Sequence, residues 1–367
     1  LILLPFIMFV LVAGMAVLIG GLISPALGHI AAIPAGWLLN IQGWLVSHLA
    51  SLPGSNFIVR APPALLIILI YAVIGAWIFR AKLRIPRMVI AGVFAIWLIV
   101  LTAYYKIADS NQPTQLWVLD AGDGNALVLQ TPGGKTVAID AGSLGSPEHV
   151  ADMIDQLLRV CGRRGISDAV ITQVDSAHAG AMAALIGGDG SVKLYCDASA
   201  LADGAQTYET KRFFGDQNFS GSVFSPLQAG SHININANTS IDVLWPGENI
   251  SAAERSIRGC VMLLHLNGRS VLILDRTQIS RAVEDSLSNL TEPDALILLG
   301  PGTLKPGDRT WLGKLNPGLI VLSGESREAV QTDSSILSGR QFFQTTNSGA
   351  VELASEPDGI HVVNWAN

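Results

Sequence analysis

Residues 171–180 read Ile-Thr-Gln-Val-Asp-Ser-Ala-His-Ala-Gly. A short apolar strand, 168–172, delivers Gln173, Asp175, Ala177 and His178 into the loop that follows it. A carboxylate and an imidazole at a strand end are the beginnings of a divalent-cation site, and Asp275, at the end of another apolar run, is a third donor. Gln173 adds only a neutral, weak oxygen, and Ala177 adds nothing. A catalytic zinc keeps three protein ligands and an open position for water. A pair of hydrolytic metals must also acidify that water and steady the leaving oxygen. The set therefore fits at most one weakly bound divalent metal, Zn or Mn; no cofactor is expected, no residue is named as catalytic, and an enzyme is disfavoured. The plainer roles are a loop hydrogen bond for His178 and a strand-end turn carboxylate for Asp275.

Other chemistries find less support. Gly122-Asp-Gly124 is not followed by Gly-Lys-Ser/Thr, so it is no phosphate loop. Ser143 and Ser146 lack the Gly-x-Ser-x-Gly elbow of a serine hydrolase. Cys161, Cys196 and Cys260 are few and far apart, which favours buried small hydrophobes over a zinc knuckle or disulfide framework. His149, His232, His265 and His361 are scattered and read as surface or core residues. Arg159, Arg163 and Arg164 cluster at a helix end, where they either touch phosphate or complement the helix dipole.

The elements that position these residues follow from periodicity. Short apolar runs at 116–119, 126–130 and 136–140, separated by Gly-rich turns, predict a meander. Residues 147–159 predict a helix with Val150, Met153, Ile154, Leu157 and Leu158 on one face, Ser146 as N-cap and Pro147 at its first position. A tightly packed helix is expected from Ala179 to Ile186, and strands at 192–195 and 241–244. Asn267-Gly268 between the runs 261–266 and 269–275 predicts a hairpin that ends on Asp275. Further buried strands are expected at 295–299 and 319–323, and closing hairpins near the C-terminus. Strands interleaved with helices indicate one layered α/β domain over 115–367.

The first part of the chain is different. Of 367 residues 50% are hydrophobic and 14% charged, which points to membrane spans. Residues 1–107 hold no Asp or Glu and six Lys/Arg, while 108–367 hold 29 acids against 17 basic residues, a formal charge of −12. Apolar helices are expected at about 1–23, 63–79 and 88–105, with 108–114 as a polar linker. A further helix at 32–50 carries Trp37, Asn40, Gln42, Trp44, Ser47 and His48 and is assigned to the membrane interface, with a polar-faced span as the alternative. Four cations in Arg80-Ala-Lys-Leu-Arg-Ile-Pro-Arg87 mark a cytoplasmic loop, which places the acidic domain outside the cytoplasmic membrane. No signal peptide is recognisable, and the start at Leu1 reads as the interior of a longer membrane protein or a processed chain.

The order of several motifs resembles the C-terminal part of ComEC-type competence proteins, the membrane channels of natural DNA uptake. Leu119-Asp-Ala-Gly-Asp-Gly-Asn-Ala126 is similar to that family's LDVGQGDA, and Thr131–Thr136 with Ile139-Asp-Ala-Gly142 to its TPGGKT and IDGG. Leu158–Ile166, Leu272-Ile-Leu-Asp275 and Phe343–Ala350 are similar to LRRRGI, LLTGD and YRTDRDGA, and Leu49–Gly54 to the end of the membrane domain. The resemblance implies a multi-pass helical membrane segment followed by a metallo-β-lactamase-like αββα sandwich. It also implies that Asp175, His178 and Asp275 are remnants of a two-metal site, that Gln173, Ala177 and Pro301 stand at degenerate ligand positions, and that the turn with Asp120, Asp123 and Asn125 flanks the site and shapes the sheet. The function so implied is a component of a DNA-uptake channel in the inner membrane with a non-catalytic outer domain. Its partners would be single-stranded DNA, other competence proteins and the membrane, with a homo-oligomer left open. The alternative is a membrane-anchored metal-dependent hydrolase or nuclease with a reduced site.

Overall fold

The computed structural model describes residues 3–50, 64–79, 82, 86–110, 112–186, 192–197, 223–245, 260–275, 287, 290–300, 309–324 and 339–364. Pro301 and most of the basic segment 80–87 lie outside the described residues. Two compact units make up the chain, residues 1–59 and 60–367.

The first unit holds helices α1 (Leu3–Ile23) and α2 (Pro25–Ala50). Helix α2 begins earlier than the expected 32 and runs on through Pro34. Pro25 suits the first helical position, where an N–H would have no partner, and Ser24 Oγ caps the start by accepting from the Ala26 N–H at 3.3 Å. The helices meet at glycines, since a Cβ on Gly28 would stand 2.8 Å from Gly21 Cα. Met8, Phe9, Leu18 and Leu22 of α1 and Ile30, Trp37 and Trp44 of α2 are exposed.

The second unit opens with α3 (Ala64–Ile78) and α4 (Arg87–Ser110), joined where the Trp97 indole N–H donates to the Leu66 carbonyl at 3.3 Å. Among the described residues, Pro25–Leu49 and Met88–Ile107 are long and apolar enough to cross a membrane, by length and composition; the other apolar helices are shorter. Helix α4 continues past 105, so the segment 108–114 is not a free linker: its first residues are helical and strand β1 begins at Thr114. Asp109, on the last turn, meets Arg163 at 2.7 Å. With the carboxylate 41% exposed, the pair contributes under about 1 kcal/mol and acts chiefly on orientation.

Beyond α4 lie two sheets. The first contains β1 (Thr114–Val118), β2 (Ala126–Gln130), β3 (Thr136–Ala141), β4 (Asp168–Ile171), β5 (Lys193–Asp197), β6 (Val223–Leu227) and, late in the chain, β14 (Val351–Glu356) and β15 (Gly359–Asn364), in the order β15-β14-β1-β2-β3-β4-β5-β6. The second contains β7 (His232–Asn236), β8 (Thr239–Trp245), β9 (Val261–Leu266), β10 (Arg269–Asp275), β11 (Ala295–Leu299), β12 (Leu319–Leu322) and β13 (Gln341–Gln344), in the order β13-β12-β11-β10-β9-β8-β7. Each sheet is antiparallel on one side and parallel on the other, with β3 to β6 and β10 to β13 parallel. Asn267 and Gly268 both take positive φ, the conformation their hairpin turn requires.

Alternation along the strands sorts the side chains. Leu116, Leu127 and Leu129 face Ile241, Met262 and Ile273 between the sheets. Val128, Ala138 and Ile171 face outward onto α5 (Pro147–Val160) and α7 (Met182–Ile186), through Val150, Ile154, Leu158 and Met182. Leu272, Leu296 and Ile320 of the second sheet face Trp311, Leu312 and Leu315 of α8 (Arg309–Leu315). The layers are helix, sheet, sheet, helix: the αββα order that the resemblance implies. Ser146 does sit at the N-cap of α5, but its side chain makes no capping bond; its carbonyl accepts from the His149 and Val150 N–H groups instead. The helix expected from Ala179 to Ile186 is split, with α6 spanning Ser176–Ala179 and α7 following.

Candidate metal centre

Parallel strands send their carboxyl ends to one edge, and crevices there are where α/β sheets bind ligands. Here the ends of β3, β4, β10, β11 and β12 meet the β1–β2 turn. Asn125 ties these segments together. Its N–H donates to the Ala177 carbonyl at 2.9 Å, its carbonyl accepts from the Gly142 N–H at 2.9 Å, and its Oδ1 accepts from the Gly300 N–H at 3.0 Å. The floor between them is made of glycine backbone. A Cβ on Gly124 would fall 1.9 Å from the Gly142 carbonyl oxygen, and one on Gly142 would fall 2.5 Å from Ala177 C. Gly300 and Gly324 adopt φ of +87° and +99°, and a Cβ on Gly324 would lie 3.3 Å from Gly300 C.

The β1–β2 turn is held by its own carboxylates. Asp120 Oδ1 accepts from the Gly122 N–H at 3.3 Å. Asp123 accepts from the Ser143 hydroxyl at 2.5 Å and from the Leu144 and Gly145 N–H groups at 3.0 and 3.3 Å. The Ser143 hydrogen bond, helped by the two backbone donors, holds the Asp123 carboxyl below its ordinary range.

Asp175, His178 and Asp275 come together above this floor. Asp175 caps the short helix α6, its Oδ1 accepting from the His178 N–H at 3.0 Å. The same oxygen lies 2.7 Å from His178 Nδ1, and Asp275 Oδ2 lies 3.0 Å from Nε2. His178 and Asp275 side chains are 5% and 4% exposed. Burial opposes charge on the imidazole, but its hydrogen bonds to Asp175 and Asp275 prevail and raise its pKa well above the usual histidine value. Each ring nitrogen of His178 thus meets a carboxylate oxygen. His178 is more than the loop residue expected, since it reaches across to Asp275 on β10.

Asp140, at the end of β3, lies behind this bridge. It has φ +55°, and its carboxylate accepts from the Thr172 N–H at 2.7 Å and the Thr172 hydroxyl at 2.6 Å. Full burial pushes its pKa up to about 7, against the opposing pull of His178 and Thr172. The folded state therefore holds a proton that the unfolded chain releases, and stability falls as pH rises from about 4 to about 7. Asp140→Asn keeps a side chain that tolerates positive φ and removes the titration. Urea midpoints between pH 5 and 8 should lose this part of their slope; an unchanged slope would show that Asp140 is not its source.

A metal pair does not fit these residues. Gln173 supplies only a neutral oxygen, Ala177 and Gly300 supply no side-chain donor, and His178 is the imidazole that the described residues bring between Asp175 and Asp275. That Asn125 holds the floor together has no local signature, because its partners Gly142, Ala177 and Gly300 are remote along the chain. Elsewhere, among the described residues, Glu356, Asp358 and His361 offer donor atoms within 4.8 Å of one another, all three exposed. Of the arginine cluster, Arg159 stands in the last turn of α5, where a cation complements the helix dipole, and pairs with Asp155, while Arg163 pairs with Asp109.

No family model and no curated protein matches the chain. Three solved structures are similar at low identity. A metallo hydrolase, Igni18, from the archaeon Ignicoccus hospitalis is 11% identical over 66% of this chain and 100% of its own, with a TM-score of 0.43. Zn²⁺-bound PqqB from Methylobacterium extorquens is 11% identical over 63% of this chain and 90% of its own, at 0.38. A Cronobacter sakazakii metallo-β-lactamase with a HARLDQ motif is 16% identical over 53% and 80%, at 0.37. Nothing about metals or substrates transfers to this chain at that likeness; its architecture rests on its own sheets and layers.

Proposed function

We propose that this chain is part of a membrane DNA-uptake channel whose metallo-β-lactamase-like outer domain no longer hydrolyses. The observation that carries the second half is the donor set at the strand ends: Asp175, His178 and Asp275 converge there, while Gln173 adds only a neutral oxygen and Ala177 and Gly300 add no side-chain donor. Three strong donors fall short of the two shells that a pair of hydrolytic metals needs to acidify water and steady the leaving oxygen. The transport half rests on the ordered series of motifs quoted above. Membrane anchoring is supported by the exposed apolar side chains of α1, α2 and α4 and by the absence of acids from 1–107. The cations of 80–87 favour the cytoplasmic side for that turn and the outer face for the four-layer domain. The formal charge of −12 over 108–367 opposes broad contact with DNA phosphates, so the domain guides, gates or scaffolds. Single-stranded DNA and other competence proteins are the partners this reading names.

Two measurements test it. The purified chain, given single- or double-stranded DNA with Mn²⁺ or Zn²⁺, should not cleave it; cleavage that Asp275→Asn abolishes would instead establish a metal-dependent nuclease. In cells competent for transformation, Asp275→Asn should leave DNA uptake intact, whereas deleting residues 112–364 should reduce it at least about tenfold. Uptake unaffected by the deletion would end the transport role.

A further inference from the structure

Strands β7, β8 and β9 are consecutive antiparallel neighbours, and their register sets five polar side chains on one face of the second sheet. Asn234 stands opposite Ser240 and Ser240 opposite His265, a row across three strands; His232 stands opposite Asp242 in the next row. Strand spacing puts the ends of the first row about 10 Å apart. The neighbours Ile233, Ile241 and Leu264 point the other way, into the core between the sheets, and pin the register. His232 Nδ1 lies 2.6 Å from Asp242 Oδ1, and His265 Nε2 lies 2.8 Å from Asp242 Oδ2. The imidazoles thus sit on opposite oxygens and spread apart, so they do not grip an ion between them. Burial works against the Asp242 charge, but the two imidazoles outweigh it and hold the carboxyl below its usual range. A carboxylate only accepts, so each ring donates to Asp242 and, when neutral, keeps an acceptor at its other nitrogen.

His232, Asn234, Ser240 and His265 line an open concavity of about 520 Å³, to which two hairpin tips add Asn238 and Asn267. The tips are tied together, since the Asn267 N–H donates to the Asn238 carbonyl at 2.9 Å. That volume falls within the ~300–1,000 Å³ of small-molecule sites, but those are mostly apolar. Here only two of the lining residues lack a polar side chain, and none is Lys, Arg, Asp or Glu. Asp242, the nearest formal charge on this face, is already matched by its two imidazoles. The side chains of Asn234 and Ser240 have no hydrogen-bond partner among the described residues.

From this geometry we infer a second, unrelated binding site, for an uncharged polyhydroxylated ligand: a sugar of one or two rings. A hydroxyl donates and accepts at once, and the wall answers both demands. The Asn234 carboxamide and the Ser240 hydroxyl each donate and accept, and the neutral imidazoles accept. A nucleic acid would need cations against its phosphates, and an apolar ligand would leave these polar groups without partners. Asp242 holds both rings in place and the strands hold the remaining groups, so little freedom is lost on binding. The same chemistry takes a free sugar or one unit of a glycan chain. The site shares no residue with the Asp175–His178–Asp275 bridge and does not depend on how that bridge is read.

The test uses the purified full chain in a detergent without a sugar headgroup. The probes are glucose, mannose, galactose, N-acetylglucosamine, and the β-1,4-linked dimer and tetramer of the last, followed by saturation-transfer NMR on the ligand. At least one should bind with a Kd of about 10 mM or tighter, the affinity of a few net hydrogen bonds. Asn234→Ala combined with Ser240→Ala should weaken that binding at least about tenfold and keep the parent Tm, because neither side chain has a partner in the fold. His361→Gln, on β15, should leave it unchanged. A tetramer that binds more tightly than the dimer assigns the site to a glycan chain, and equal affinities assign it to a free sugar; both support it. Binding by none of the probes, binding that the double variant does not move, or displacement of the sugar by inorganic phosphate overturns the site.

Discussion

Gly124→Ala should cost at least about 3 kcal/mol, at or beyond the upper end of ordinary overpacking penalties. The new Cβ would sit 1.9 Å from the Gly142 carbonyl oxygen and 2.6 Å from Ser143 Cα. Both are backbone atoms, so no side chain can swing away. Gly142 cannot retreat either, because a Cβ built on it already meets Ala177 C at 2.5 Å, and its N–H is held by the Asn125 carbonyl. Relief requires the β1–β2 turn, the end of β3 and the α6 loop to separate together, which breaks the Asn125 bonds. The measurement is the urea midpoint of Gly124→Ala against the parent chain. Gly122→Ala is the contrast: it carries strain from its φ of +64° but meets no atom within 4 Å, and should lose only about 1 kcal/mol. Equal losses for the two would remove the close approach as the explanation.

His178→Ala should lose about 3–5 kcal/mol at neutral pH, the range for removing one partner of a buried ion pair. It leaves the Asp275 carboxylate, 4% exposed, without the cation that it faces, and it strips the bond to Asp175 Oδ1. The pH dependence gives a second readout. A histidine whose folded pKa is raised binds its proton more tightly in the folded state. Its stabilisation is fully present below the unfolded value of about 6.5 and is lost as pH rises through the folded value. The parent chain should therefore weaken into the alkaline range, and His178→Ala should show a flatter profile there. Thermal unfolding from pH 6 to pH 9 checks both; a variant within about 1 kcal/mol of the parent, or one with the same alkaline slope, would show that the bridge holds no net charge interaction.

The elements were legible where one local rule decided them. Asn267-Gly268 between apolar runs specified its hairpin, and the apolar face of 147–159 specified α5. The extent of α2 was harder to read. Its N-terminal residues are apolar, small or proline, and Ser24-Pro25 as a cap and first position outweighed the polar residues further along. The early start follows from Asp175, whose carboxylate caps a helix at Ser176, and the break before α7 falls where the Ala181 N–H leaves the helix to donate to the Ala141 carbonyl at 2.8 Å. The centre was legible only as a list of donors. Periodicity showed that Asp175, His178 and Asp275 each stand at a strand end, but not that one ring would bridge both carboxylates. The His232–Asp242–His265 grouping has no local signature, because cross-strand register made it and no spacing rule links residues 10 and 23 apart on a meander.

The glycine at position 300 reaches beyond stability. A Cβ there would stand 3.0 Å from Asp275 Oδ1 and would have to accept a φ of +87°. Any side chain at this position thus means relaying the end of β11 and shifting the Asp275 carboxylate. Backbone conformation and a neighbouring carboxylate thus close position 300 to every residue but glycine, which makes this turn a fixed point about which the rest of the edge is arranged.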